Sequence, residues 1–311
     1  MKVCFIGLGS IGTRHCKNLY SVCEQKGIPL EIHAVRSSHK ELSQELKSFH
    51  IKSLYSFDEM DRQYDMLFIT NPTSMHYDTL IHTGDKSRFF FVEKPVFENT
   101  SMDISKIPFT RDAVCYIAAP LRYTKVIQEA EQFVKKHRVF NARAISSSYL
   151  PDWRPGQDYR TTYSAHKELG GGVSIDLIHE WDYLFMLFGL PQRVCCMKGK
   201  YSDLEIDSDD LAIYIAEYPT HLVEVHLDYF GKKTKRQLEV FTNEGCWIFD
   251  IAHSCVFEPD GSMHELPEMP NDKYICEMNY FLSLVQGDQQ NSSNDIIHAC
   301  RVLNISRGEG Q

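Results

Sequence analysis

A lysine, an aspartate and a histidine can between them move a proton and steady a growing negative charge. This chain holds one such set at spacings that suit the work. Lys94 follows a run of strand-forming residues in Phe91-Val92-Glu93-Lys94-Pro95. Asp176 and His179 lie in Gly170-Gly171-Gly172-Val173-Ser174-Ile175-Asp176-Leu177-Ile178-His179-Glu180-Trp181-Asp182. Histidine takes a proton near neutral pH. A lysine fixed by a strand end and by Pro95 keeps its cation in one place. Asp176 precedes His179 by three, so on a helix both side chains share a face. Gly170 to Gly172 would let the chain come close to a bound group and then start that helix. The plainer alternatives are a buried structural ion pair for Asp176 and a satisfied core histidine for His179.

The stretch Lys2 to His15 supplies a second kind of chemistry. Val3 to Ile6 is an apolar run of strand length, followed by Gly7-Leu8-Gly9-Ser10-Ile11-Gly12 and a helical pattern to about Glu24. This is a G-x-G-x-x-G between a strand and a helix, the context in which it reads as a dinucleotide cradle. Gly7 permits the tight turn, Gly9 lets a pyrophosphate approach the backbone, and Gly12 lets the helix pack on the strand. The pyrophosphate would sit at the helix N-terminus beside Ser10 and Ile11, where the dipole favours an anion. A dinucleotide accounts for the first set of residues. Hydride transfer from an alcohol carbon needs a base for the hydroxyl proton and a cation near the developing alkoxide.

Strands and helices alternate over the first third. Leu30–Val35, Asp65–Thr70 and Phe89–Val92 read as strands. Ser38–Phe49 and Met75–Thr83 read as helices. That alternation predicts an α/β doubly wound parallel sheet. Its ligands bind at the carboxyl ends of the strands. The residues there are Gly7 to Gly12, Arg36-Ser37-Ser38, Thr70-Asn71-Pro72 and Glu93-Lys94-Pro95. An NAD site usually carries Asp or Glu after the second strand. Arg36, with serine hydroxyls, suits a 2′-phosphate instead. NADP(H) is therefore expected ahead of NAD(H), with a solvated loop arginine as the alternative. His76 would help line the nicotinamide side.

Composition narrows the partners. The chain has 311 residues and a net charge of −9, with 43% hydrophobic and 24% charged residues. The length suits two domains. The negative charge speaks against a nucleic-acid or anionic-membrane partner. No apolar run approaches a membrane span, and Met1-Lys2 does not read as a signal peptide. Ten scattered cysteines without C-x-x-C fit free thiols in a reducing cytoplasm. His221, His226, His253 and His264 show no ligand spacing, so no metal is expected.

The motif V-E-K-P after a Rossmann strand resembles the glucose-fructose oxidoreductase, inositol dehydrogenase and MocA (Gfo/Idh/MocA) family. Thr70-Asn71-Pro72 with His76, Leu121-Arg122-Tyr123 and the triglycine segment to Asp182 agree in order and spacing. The resemblance implies an N-terminal Rossmann domain, set here at 1–122. It also implies a C-terminal α+β domain with a large, mostly antiparallel open sheet, set at 123–311, for substrate and oligomerisation. Strand-like runs from Ala142 to Ile251, a helix Val126–His137 and a helix Val173–Phe188 fit it. The strand Leu211–Tyr218 has apolar residues on both faces, so a second subunit could cover one of them. The family's homodimers and homotetramers form through this sheet. By resemblance Lys94, Asp176 and His179 are the catalytic trio. Many members space the Asp and His by four, whereas here the spacing is three.

The loop Tyr149-Leu150-Pro151-Asp152-Trp153-Arg154-Pro155-Gly156-Gln157-Asp158-Tyr159-Arg160 has aromatics for a sugar face and arginines for an acidic group. Tyr149, Trp153, Arg154, Arg160 and Arg122 are the expected substrate contacts. A rigid domain-packing loop is the alternative. The segment also resembles members associated with bacterial surface-sugar pathways. The acidic run Asp203 to Asp210 reads as a solvated turn, and Ser306 to Gln311 as a frayed end. The expected function is an NADP(H)-dependent oxidoreductase acting on a secondary alcohol or ketone of a sugar, sugar acid or nucleotide sugar. A non-catalytic sensor of the same fold and a reductase of another carbon centre are the alternatives. The presence of Lys94, Asp176 and His179 together favours the enzyme.

Overall fold

The computed structural model describes residues 1–291 and 294–308. In chain order its elements begin β1 Lys2–Ile6, α1 Ser10–Gln25, β2 Glu31–Val35, α2 Gln44–Ser48, β3 Lys52–Leu54, β4 Met66–Ile69, α3 His76–Thr83, β5 Phe89–Val92 and β6 Val114–Ile117. Then come α4 Lys125–Lys136, β7 Asn141–Tyr149, α5 Val173–Asp176, α6 His179–Phe188, β8 Arg193–Gly199, β9 Leu211–Glu217 and β10 Leu222–Asp228. The last are β11 Phe230–Thr242, β12 Gly245–Asp250, β13 Cys255–Phe257, β14 Met263–Glu265, α7 Asp272–Gln286 and α8 Ile296–Arg307. The chain packs as two compact units. One is Met1–Pro120 with Asn271–Cys300, the other Leu121–Pro270 with Arg301–Gln311. The segment 123–311 is thus divided, and Asn271–Cys300 belongs with the first unit.

The first unit is a six-stranded parallel sheet in the order β3-β2-β1-β4-β5-β6. Its strands are apolar on both faces because helices cover both. Phe68, Phe91 and Tyr116 meet Phe281 of α7 in the core. A buried carboxylate locks α7 in place: Glu277 Oε1 accepts the Tyr116 hydroxyl at 3.0 Å and the Ala119 N–H at 2.5 Å. The helix expected over Ser38–Phe49 shrinks to α2. Ser43 caps it, accepting from the Leu46 N–H, and only Leu46 of its residues is buried. His50, with φ at 52°, marks its far side.

The second unit is an eight-stranded sheet, β14-β13-β12-β11-β7-β10-β9-β8, antiparallel except where β7 meets β10. In β9 Ala212, Tyr214 and Ala216 are buried, toward the face that carries α4, α5 and α6. Ile213 and Ile215 point to the other face and are 41% and 50% exposed in the single chain. The helix expected over Val173–Phe188 is in fact two, α5 and α6, separated by Leu177 and Ile178. The end expected to fray is helical as far as Arg307. Ser306 is buried and its carbonyl accepts the Tyr214 hydroxyl at 2.6 Å. Gly308 follows in a turn, and residues 309–311 of that expectation lie outside the described residues. No described helix is long and apolar enough to cross a membrane.

The β1–α1 packing leaves no room at Gly12. A Cβ there would lie 2.2 Å from the Gly7 carbonyl oxygen and 2.7 Å from Thr70 Oγ1. Gly12→Ala should therefore lower unfolding stability by about 1–3 kcal/mol, the usual cost of overpacking. Urea titration followed by circular dichroism measures it, and an unchanged midpoint would show that the turn relaxes freely.

Candidate functional site

In the first unit the glycine loop is shaped by two constraints. Gly7 has φ at 98°, and a Cβ on it would meet Asn71 N at 2.8 Å, so β1 and the end of β4 almost touch. Thr70 Oγ1 donates to the Gly7 carbonyl at 2.7 Å and closes the same gap. Gly9 is different. A Cβ there would meet nothing of this chain within 4 Å, and no side chain caps the helix that starts at Ser10. The open face of Gly9 and the uncapped end of α1 fit a pyrophosphate. Asn71 adds a buried Oδ1 without a partner, while its Nδ2 donates to Thr79 at 2.8 Å. Such an orphan acceptor at a strand end suits a ligand donor.

The other strand ends are fixed by the chain itself. Arg36 donates to Ser53 Oγ at 3.1 Å and to the Lys40 carbonyl, with Ser37 and Ser38 exposed beside it. His76 is fully buried. Its Nε2 lies 3.0 Å from the Asn71 carbonyl oxygen and its Nδ1 3.1 Å from that of Val96. Burial pushes the ring toward its neutral form, so only one nitrogen donates at a time. His76 therefore braces the turn after β4. Lys94 follows β5 and precedes a cis proline. Its N–H donates to Glu93 Oε2 at 3.1 Å, and Glu93 Oε1 lies 2.5 Å from Nε2 of buried His15. Burial alone would raise the Glu93 carboxyl. The His15 contact and the Lys94 charge instead hold it below the usual range. His15 is a member of this cluster that the sequence did not single out.

In the second unit Asp176 is 7% exposed and accepts the Tyr229 hydroxyl on Oδ2 at 2.6 Å. One continuous helix does not join it to His179. The turn between them is tight, with the Ile178 N–H on the Ile175 carbonyl and the Glu180 N–H on that of Leu177, both at 3.2 Å. The spacing of three therefore spans the end of one helix and the start of the next. The triglycine serves packing within the chain. A Cβ on Gly171 would lie 2.0 Å from the Tyr163 carbonyl oxygen, and one on Gly172 2.4 Å from Asp209 Oδ1. Asp209 carries the start of α5, accepting from the N–H of Val173 on its carbonyl at 2.8 Å and from that of Ser174 on its carboxylate at 3.0 Å.

The acidic run is therefore no mere solvated turn. Asp207 accepts the Lys167 N–H, Asp209 holds α5, and Asp210 is fully buried. Alternation with exposed Asp203 and Glu205 hid this in the sequence.

The expected substrate residues divide. Arg122 is buried in a bidentate pair with Asp182 of α6, at 2.8 Å for each bond. Arg160 donates to Asp158 and Glu205, which push its pKa up. Both guanidiniums are already met by carboxylates. Trp153 is 37% exposed, donates its indole N–H to Ser148 Oγ at 3.0 Å and meets the Tyr229 ring edge-on. Arg154 lies 5.9 Å over the Tyr163 ring and makes no ion pair among the described residues. Lys232, which the sequence did not flag, stands 3.2 Å over the Tyr149 ring. Among the described residues one His/Asp/Glu cluster has metal-like spacing, Glu31, His33 and Asp61. It carries its own cation: Lys2 Nζ bridges both carboxylates.

Residues 1–107 match the family model described as "Oxidoreductase family, NAD-binding Rossmann fold", and residues 127–248 match the GFO/IDH/MocA C-terminal domain. No curated protein matches the chain. Solved structures share the fold at low identity. UDP-N-acetylglucosamine 3-dehydrogenase from Acidithiobacillus ferrooxidans is 16% identical with a TM-score of 0.78, covering 99% of this chain and 96% of its own. Myo-inositol 2-dehydrogenase from Lactobacillus plantarum is 17% identical with a TM-score of 0.77, covering 99% and 95%. The WlbA dehydrogenase from Bordetella pertussis, solved with NADH and UDP-GlcNAcA, is 12% identical with a TM-score of 0.77, covering 98% and 93%.

Asp210 gives the site region a pH signature. Burial opposes its ionisation. Donors from Ser202 Oγ at 2.6 Å, Tyr201 N at 2.7 Å and Ser202 N at 2.9 Å nevertheless hold its carboxyl below the usual range. A folded pKa below the unfolded value of about 3.9 stabilises at higher pH, and that stability fades as pH falls through the folded value. Asp210→Asn should cost about 1–3 kcal/mol at neutral pH, and the gap should narrow below about pH 4. Chemical denaturation at several pH values checks this. A gap independent of pH would assign the loss to shape alone.

Proposed function

Because the chain belongs to the GFO/IDH/MocA oxidoreductase family, we propose that it uses NADP(H) to oxidise or reduce a secondary alcohol or ketone of a sugar, sugar acid or nucleotide sugar. The observation that carries the reading is the open Gly9 face at the uncapped start of α1. The dinucleotide supplies the hydride carrier. The chain supplies everything else. Gly7, Gly9, Ser10, Ile11 and Gly12 seat the pyrophosphate, and Thr70, Asn71 and Pro72 line the next strand end. Arg36 with Ser37 favours a 2′-phosphate, since no carboxylate follows β2 to repel it. Lys94, held by Glu93, steadies the alkoxide. His179 takes or gives the hydroxyl proton, and Asp176 supports the proton transfer with its charge.

Tyr149, Trp153 and Arg154 would meet the sugar and its acidic group. Arg122 and Arg160 would shape that loop through their carboxylate pairs. The sugar and nucleotide-sugar dehydrogenases of the same fold support this substrate class. The exposed Ile213, Ile215 and Met197 on the open sheet face support a homodimer or homotetramer.

A screen of sugars, sugar acids and nucleotide sugars with both nicotinamides, read by absorbance of the reduced cofactor, tests the reading. Lys94→Ala should lower kcat by on the order of 10²-fold with cofactor affinity nearly unchanged. His179→Ala should lower it 10²–10⁴-fold, as an order of magnitude, and erase a pH-rate limb near neutrality. Wild-type turnover in both variants would place the chemistry elsewhere. Arg36→Asp should shift the NADP(H)/NAD(H) ratio of dissociation constants by more than about tenfold toward NAD(H). An unmoved ratio removes Arg36 from the cofactor site.

A further inference from the structure

Asp176 is a carboxylate almost out of water, and its hydrogen bond to Tyr229 at 2.6 Å is short and charge-assisted. Tyr229 is fully buried at the junction of β10 and β11. Its N–H donates to the Asp210 carbonyl at 3.0 Å, and its own carbonyl accepts from Leu150 at 2.9 Å. The Trp153 indole stands edge-on to its ring, with centroids 5.2 Å apart. The phenol is held by backbone on both sides and by an aromatic edge, so it cannot swing away.

We propose that Tyr229 is the positioning residue of Asp176, fixing the rotation of its carboxylate. The proposal rests on the reading that Asp176 takes part in catalysis. Other titratable groups lie on or against the neighbouring elements. Tyr163, from the loop before α5, brings its hydroxyl to Asp176, with Arg154 over its ring. The Asp209 carboxylate lies at the start of α5, and Lys198 of β8 donates to Ser174 Oγ at 3.3 Å. Tyr163 differs from Tyr229 in being 44% exposed, whereas Tyr229 is fully buried. Burial and the Asp176 charge both push the Tyr229 phenol up, which keeps it a donor over the working pH range.

Tyr229→Phe keeps the ring and removes the donor. At the optimum kcat should fall about tenfold while KM stays within about twofold. A purely structural tyrosine would change the melting temperature without lowering kcat of the folded protein. If Tyr229→Phe does not fold, 3-fluorotyrosine placed at position 229 replaces it. That group is the more acidic phenol and the stronger donor, so kcat should shift by about twofold or more while KM holds. Asp176→Asn separates the two levels of inference. If it turns over like wild type, the catalytic reading of Asp176 fails. If it is impaired while the folded tyrosine variants keep the wild-type kcat, the positioning role of Tyr229 is overturned.

Discussion

A carboxylate taken out of water must be met by donors or by charge. Both units are organised by meeting that demand. Glu277 binds α7 to the sheet through Tyr116 and Ala119. Glu93 sits between His15 and the N–H of Lys94. Asp210 closes the turn before β9, Asp209 starts α5, and Asp176 accepts Tyr229. Removing the partners would leave buried charge uncompensated, which costs more than the bonds themselves gain.

Within each unit the same bonds fix the backbone around the residues proposed for catalysis. Catalytic groups act by standing ready before the charge develops, so their supports matter as much as the groups. Lys94 leaves β5 with its N–H already bonded. Asp176 ends a helix of four residues that could not stand alone. Asp209 holds its start and Tyr229 its last side chain. The tight turn that follows sets His179 three residues on at the head of α6. Arg122 clamps α6 through Asp182.

The first unit was largely legible. Glycines, apolar strands and the residues at strand ends are local signals, but the short outer strands β3 and β6 were not read, and the order of the six strands is visible only in the fold. Three parts were not. α7 carries Met278, Phe281, Leu282 and Val285 at helical spacing, a readable pattern, but only the folded chain shows that it returns to the first core. The break at Leu177 leaves apolar periodicity intact, so the sequence reads through it. The roles of Asp209 and Asp210 depend on segments some 35 residues and 8 residues away, and carboxylates look alike in sequence whether solvated or capping. Arg122 and Arg160 read as substrate arginines for the same reason: their carboxylate partners are visible only in space.

Direct hydride transfer is the centre of the account, and the path of one isotope tests it. The reduced nicotinamide would carry deuterium at its transferable position and be mixed with the sugar ketone that the turnover screen selects. Mass spectrometry of the product would then locate the label. One deuterium on the former carbonyl carbon and none in the water is the expected result. Label lost to solvent, or a product carbon that carries only solvent hydrogen, would contradict it.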